Sequence, residues 1–218
     1  MDLKAFFKLS YGLYIISSVS GDLDCGCIAN TLQQVTAEPP MLSVALHKDN
    51  RTTRAILESG KFCGAVLTEE AEMDLIGAFG FKTSEEYDKF GDFASKRDEN
   101  GVRYVTERVA ARYSCEVVNT LDLGTHVMFI GKVTEAETLS NAPVMTYDYY
   151  HRVVKGKTPA KAPSYKGEDV KDDTPVEKES AKERWQCAIC GYIYEGALPE
   201  GYNCPICGVS AERFEKIG

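Results

Sequence analysis

The sequence predicts a mainly β protein: a β-barrel with helical insertions, followed by a small C-terminal module organised by a metal. Three features carry that expectation. Short runs rich in β-branched and aromatic residues recur between turn signals from residue 13 to residue 138. Two stretches have the start and stop chemistry of helices. Four cysteines close the chain with the spacing C-x2-C-x13-C-x2-C: Cys187, Cys190, Cys204 and Cys207. Many strands with a few short helices suggest a barrel.

The elements follow in chain order. "LYIISSVS" (13–20) reads as a strand that stops at the turn signal Gly21-Asp22. "MLSVALH" (41–47) reads as a strand entered from Pro39-Pro40. A helix is expected over 51–59, with Asn50 as N-cap and Gly60 as the stop. "KFCGAVLT" (61–68) is the next strand, and a second helix is expected over 69–79, capped by Thr68, with acids in its first turn and Gly80 after it. "RYSCEVVNT" (112–120) and "HVMFIGKVTEAET" (126–138) complete the strands. In residues 166–183, twelve of 18 are charged or proline, too few apolar groups to offset ordering entropy, so a flexible charged linker is expected there. As a coil it would span roughly 25 Å. A solvated helix is the alternative for that stretch.

Net charge is −8, and neither half of the chain is basic, which argues against a nucleic-acid partner. No run of about 18 apolar residues stands in the sequence, so no membrane span is expected. The first residues lack the pattern of an export signal, and a reducing cytoplasm is the expected setting. There, eight cysteines read as thiols or metal ligands rather than as a disulfide framework. Cys25, Cys27, Cys63 and Cys115 sit in or beside apolar strands and read as small buried hydrophobes.

The two C-x2-C pairs carry the strongest signal. Two intervening residues let both thiolates reach one ion, and a glycine after each pair (Gly191, Gly208) lets the backbone turn. A closed set of four thiolates suits Zn²⁺ or a single iron. A module of this size has no self-sufficient core, so the metal must supply folding energy. A weaker signal lies at 25–62. Asn30, Thr31, Gln33 and Thr36 cluster before two prolines, and Lys48, Asn50, Arg51, Thr52 and Thr53 surround the start of a helix. Such a start can hold an anion, or can simply be a well-capped, solvated helix end. Neither a G-x-G-x-x-G after a strand nor a G-x4-G-K-[ST] loop is present.

Trp185, Tyr192, Tyr194, Pro205 and Phe214 around the four cysteines resemble rubredoxin, in the short form found in rubrerythrins. That resemblance covers 184–218 and implies a one-iron electron-transfer site, with a structural zinc ribbon as the alternative. "N-T-x2-Q-V-T-x2-P-P" from Asn30, then "N-x-T" at Asn50, "IGAFGFKTSEEYDKF", "GTHVMFIGKV" and "YYHRVVKGKTPAKAPSY" resemble the flavin reductase-like family. That family has FMN-binding split β-barrels that form homodimers, and the resemblance sets the first domain at 1–165. It implies that Asn30 and Thr31 hold the flavin ring and ribityl chain. Gln33, within the same stretch, is a further candidate flavin contact, and Lys48, Asn50, Thr52 and Thr53 would surround the phosphate. Lys89 and His126 would lie near the isoalloxazine; taken alone they read as a surface lysine and a structural histidine. The family's aromatic residue near Thr36 is missing here, and Tyr149, Tyr150 and His151 read as packing and dimer-surface residues. The two domains together resemble the high-molecular-weight rubredoxins. The implied function is electron transfer from NADH or NADPH through FMN to the iron, and on to an A-type flavo-diiron NO/O2 reductase. The rival readings are a flavin-binding docking protein and a free-flavin or ferric reductase.

Overall fold

A computed structural model describes residues 2–154, 156, 183–199 and 201–217. The expected linker lies outside the described residues except for Glu183, whose carbonyl accepts a hydrogen bond from the Gly196 amide at 2.7 Å and so joins the C-terminal module.

The first domain is built on seven antiparallel strands. They are β1 (Tyr14–Ser20), β2 (Leu23–Ala29), β3 (Gln33–Ala37), β4 (Pro40–His47), β5 (Lys61–Leu67), β8 (Val109–Asp122) and β9 (His126–Thr138), with the small hairpin β6 (Ser95–Arg97) and β7 (Arg103–Val105) between β5 and β8. The order across the sheet is β2-β1-β5-β8-β9-β4-β3. Helix α1 (Arg51–Ser59) joins β4 to β5, and α2 (Met73–Phe81) follows β5. A short helical segment, Tyr147–Tyr149 continued by Tyr150–Val154, closes the domain.

The strands alternate as their period of two demands. Ile15 of β1 and Ala65 and Leu67 of β5 face α2, where Leu75, Ile76 and Phe79 cover them. The opposite face carries Ile16 and Phe62, buried with Cys27 and Ala29 of β2, Val44 and Leu46 of β4 and Phe129 of β9. Strands β2 and β4 stand far apart in the sheet order yet share this core, so the sheet curls around it into a barrel.

Strands β1, β4, β5, β8 and β9 and helix α1 lie within a few residues of their expected limits, whereas β2, β3, β6 and β7 were not expected. Asn50 caps α1, accepting from the Thr52 amide at 2.9 Å, and the helix stops at Gly60. The second helix differs. It begins at Met73, after an N-cap at Glu72, not at residue 69. Thr68 pairs with Val144 as a β-bridge, and its amide donates to Arg108 O at 3.0 Å; the next amide, Glu69, donates to Pro143 O at 2.9 Å. Sheet pairing with distant residues takes the backbone that a helix cap would need.

The C-terminal module has strands β10 (Arg184–Cys187), β11 (Ile193–Glu195) and β12 (Phe214–Lys216), ordered β11-β10-β12. Its small core is the cysteines and Phe214, packed among Trp185, Tyr192, Tyr194 and Tyr202. Phe81 of α2 and Ile206 pack against the same cluster. No helix among the described residues is long and apolar enough to cross a membrane.

Candidate functional site

The four cysteine sulfurs lie within 4.8 Å of one another. Cys187 and Cys207 Sγ are 3.6 Å apart, and Cys190 and Cys204 Sγ 3.4 Å. Those separations are far longer than a disulfide bond. They approach the edge of a tetrahedron with metal–sulfur bonds of about 2.3 Å, which is about 3.8 Å. The donor set therefore fits one tetrathiolate-bound ion.

Two matching knuckles build it. In the first, the Cys187 amide donates to Tyr192 O at 2.8 Å and the Gly191 amide returns to Cys187 O at 2.9 Å; in the second, Cys204 donates to Val209 O at 2.8 Å and Gly208 to Cys204 O at 2.9 Å. Gly191 and Gly208 both have positive φ, 82° and 76°, which a side chain would oppose. Burial pushes the Cys187 thiol up, but the amides of Cys190 and Ile189, aimed at its sulfur, bring it below the ordinary value. The first knuckle thus favours thiolate at Cys187, whereas burial pushes the Cys190 and Cys207 thiols up.

A pocket opens where β2, β4 and α1 meet α2 and the 147–154 segment. Leu13, Ile28, Ile76 and Phe81 give it apolar walls, and Asn30, His47 and Asn50 give polar groups at the strand ends and the helix cap. Tyr147 and Tyr150 complete it. A flat aromatic ring with a polar edge suits that lining.

Of the residues singled out from the sequence, Asn30 and Asn50 stand in this wall. Thr52 and Thr53 are buried just behind it, Thr53 Oγ1 donating to His47 O at 2.8 Å. Thr31 ties the β2–β3 turn to β4, its hydroxyl donating to Ala45 O at 2.8 Å. Gln33 is exposed on β3, and Lys48 is engaged with Asp122 at 2.7 Å. Arg51 turns to Ser20 Oγ at 2.7 Å and Glu85 at 3.3 Å. His126 pairs edge-on with His47 across β9 and β4, ring centres 5.1 Å apart. The lone-residue reading of Lys89 as a surface lysine is wrong: it is 4% exposed, and Nζ donates to Gly26 O at 2.8 Å and Phe79 O at 3.1 Å. Burial lowers its pKa to about 8. Lys89 thus ties β2 to the last turn of α2, and both of those elements line the pocket.

His47 and Tyr150 were missed as pocket residues. The available signal for His47 was its place at the end of a strand, just before the cap of α1. Tyr150, expected to pack or to lie on a dimer surface, is 3% exposed and lines the pocket. Cys25, Cys27, Cys63 and Cys115 are buried thiols as expected, and desolvation raises Cys63 and Cys115 to about 12.

An apolar pocket at a barrel's strand ends and a four-thiolate metal centre on one chain fit a two-centre electron-transfer protein, and family resemblance identifies the first centre as a flavin site. Residues 6–157 match the flavin reductase like domain, and residues 185–215 match the rubredoxin-like domain of rubrerythrin. This chain belongs to the flavin reductase-like family and carries a C-terminal rubredoxin-like domain. It is 39% identical to the high molecular weight rubredoxin of Moorella thermoacetica, over all of both chains. It is 46% identical to the ferric-chelate reductase (NAD(P)H) of Archaeoglobus fulgidus over 76% of this chain and 98% of that one. The Streptomyces globisporus NADH:FAD oxidoreductase shares the fold, with a TM-score of 0.60 at 19% identity, covering 66% of this chain and 84% of that one. The protein is an NAD(P)H-dependent flavin oxidoreductase with a flavin cofactor and one rubredoxin-type iron site.

Proposed function

We propose that the chain takes electrons from NADH or NADPH at the flavin pocket. It passes them through the iron site to a separate redox protein, an A-type flavo-diiron reductase of NO or O2, in the cytoplasm. The observation that carries this reading is the closed four-sulfur site on the same chain as a flavin pocket. A site with four protein ligands and no open position is suited to electron transfer rather than to substrate chemistry.

FMN, when bound, supplies a two-electron hydride acceptor that can release electrons singly, and the iron supplies a one-electron carrier. The residues of the chain position these groups. Asn30 and His47 offer hydrogen bonds to the polar edge of the flavin, Asn50 stands at the start of α1 where the phosphate would lie, and the apolar walls exclude water from the ring. The domains are 1–165 and 184–218, joined through 166–183, and the working unit is a homodimer through the first domain. Metal analysis should find one iron per chain. Rapid anaerobic mixing with NADH and with NADPH should reduce first the flavin and then the ferric centre, followed by turnover of NO or O2 when a purified flavo-diiron protein is added. A full chain that drives this partner no better than its Cys204→Ser variant would remove the iron from the path and leave a free-flavin or ferric reductase.

A further inference from the structure

Helix α2, "MDLIGAFGF", carries Gly77 and Gly80 within nine residues. Glycine weakens a helix interior relative to alanine, so such a position calls for a reason. At Gly77 the reason is visible. A Cβ built there would overlap Ile206 Cγ2 and lie 3.4 Å from its Cβ and 3.9 Å from its Cδ1, so outside the helix itself Ile206 supplies the nearest atoms. Ile206 stands between the ligands Cys204 and Cys207 in the second knuckle. Gly77 is buried in spite of having no side chain, because the module covers it.

One turn further along the helix, Phe81 has two neighbourhoods. It lines the flavin pocket, and it packs against the cysteine cluster of the module. Tyr150 also lines the pocket. One helix is therefore shared: Gly80 and Phe81 face the pocket, and Gly77 receives the module.

We propose that the rubredoxin-like module docks on its own barrel domain through Ile206, seated on Gly77, and that this seat places Phe81 between the flavin and the iron. The proposal rests on the electron-transfer reading above and deepens it by naming the surface on which the internal transfer occurs. The module's internal repeat supports it. Ile189 holds the matching position in the first knuckle and is 45% exposed, whereas Ile206 is partly buried against the helix. Two equivalent isoleucines differ because the barrel domain covers one of them. The electron balance is simple. NAD(P)H gives a hydride, two electrons and one proton, to the flavin. The reduced flavin then converts ferric to ferrous iron one electron at a time, its protons going to water, and an external acceptor reoxidises the ferrous centre.

The test uses the full chain. With zinc in the four-cysteine site and no flavin, NMR should show a cross-relaxation contact between an Ile206 methyl and the Gly77 α-protons. Gly77→Leu should abolish it. In the iron- and flavin-loaded chain, Gly77→Leu should leave flavin reduction by NAD(P)H unchanged. It should slow the bleaching of ferric absorbance by about 5- to 150-fold, the scale of overpacking at a close contact. Ile189→Ala should leave that step at the wild-type rate. Because Gly77→Leu can disturb α2 itself, a milder pair supplies a second check. Gly77→Ala should slow iron reduction, and adding Ile206→Ala should restore it, since removing Cγ2 relieves the overlap. Absence of the NMR contact in the wild-type chain, or equal iron reduction in all Gly77 variants, would overturn the docking. A flavin that NAD(P)H does not reduce would instead defeat the functional reading, and the NMR contact would still judge the docking by itself.

Discussion

Asn50 joins two roles that substitution can separate. Its side-chain oxygen caps α1, accepting from the Thr52 amide at 2.9 Å, and the same residue lines the pocket. Asn50→Ala removes the cap, which costs about 1 kcal/mol. In a domain of this size that lowers the melting temperature by about 2–4 °C. Asn50→Ser keeps an acceptor and should melt close to wild type. Asn50→Asp also keeps the cap, and its charge complements the helix N-terminus by about 0.3–1 kcal/mol, so the flavin-free protein should be at least as stable as wild type. If the start of α1 holds the FMN phosphate, the same carboxylate opposes binding. Repulsion between close unit charges near a surface is worth a few kcal/mol; at about 2 kcal/mol, FMN affinity falls by about 30-fold. Riboflavin, which has no phosphate, should lose far less. The assays are thermal unfolding without flavin and fluorescence titration with FMN and riboflavin. Equal affinity of wild type and Asn50→Asp for FMN, or an equal loss for both flavins, would move the phosphate away from α1 and refute the reasoning.

Further outcomes follow from the same geometry. Lys89 has a folded pKa of about 8, below its unfolded value, because burial disfavours its charge. Above pH 8 the unfolded chain holds more protons at this site. Wild-type stability should therefore rise relative to Lys89→Met between about pH 8 and 10.5, by up to about 3 kcal/mol, and the difference should be flat below pH 8. Urea midpoints for the two proteins across that range check this, and parallel curves would contradict it. The buried thiols Cys63 and Cys115 act in the opposite sense at higher pH, but they are common to both proteins and cancel. Cys204→Ser should abolish or strongly perturb iron binding and loosen the module around Trp185, seen in near-ultraviolet circular dichroism, while flavin stays near one per chain. Phe62→Ala, at a fully buried side chain inside the barrel, should cost about 3–5 kcal/mol in a urea unfolding curve without shifting the ferric spectrum.

The properties written in the sequence alone are those that arise over a few residues. The paired cysteines with their glycines dictate the knuckles, because ligand reach and backbone reversal are settled within each C-x2-C-G unit. Asn50 and Gly60 bound α1 for the same local reason, and β-branched runs mark the principal strands. Family resemblance carried the flavin reading, since this pocket has little side-chain signature of its own. The tertiary structure decided the rest. Thr68 looks like a helix cap until its distant strand partners take the backbone. Lys89 looks like a surface lysine until β2 and α2 close over it and offer two carbonyls. The pocket joins Asn30, Asn50, Phe81 and Tyr150, residues far apart in the chain, and Gly77 acquires a purpose only when Ile206 arrives above it. Such sites depend on which surfaces meet, and that follows from burying the whole apolar pattern at once rather than from any one stretch of sequence.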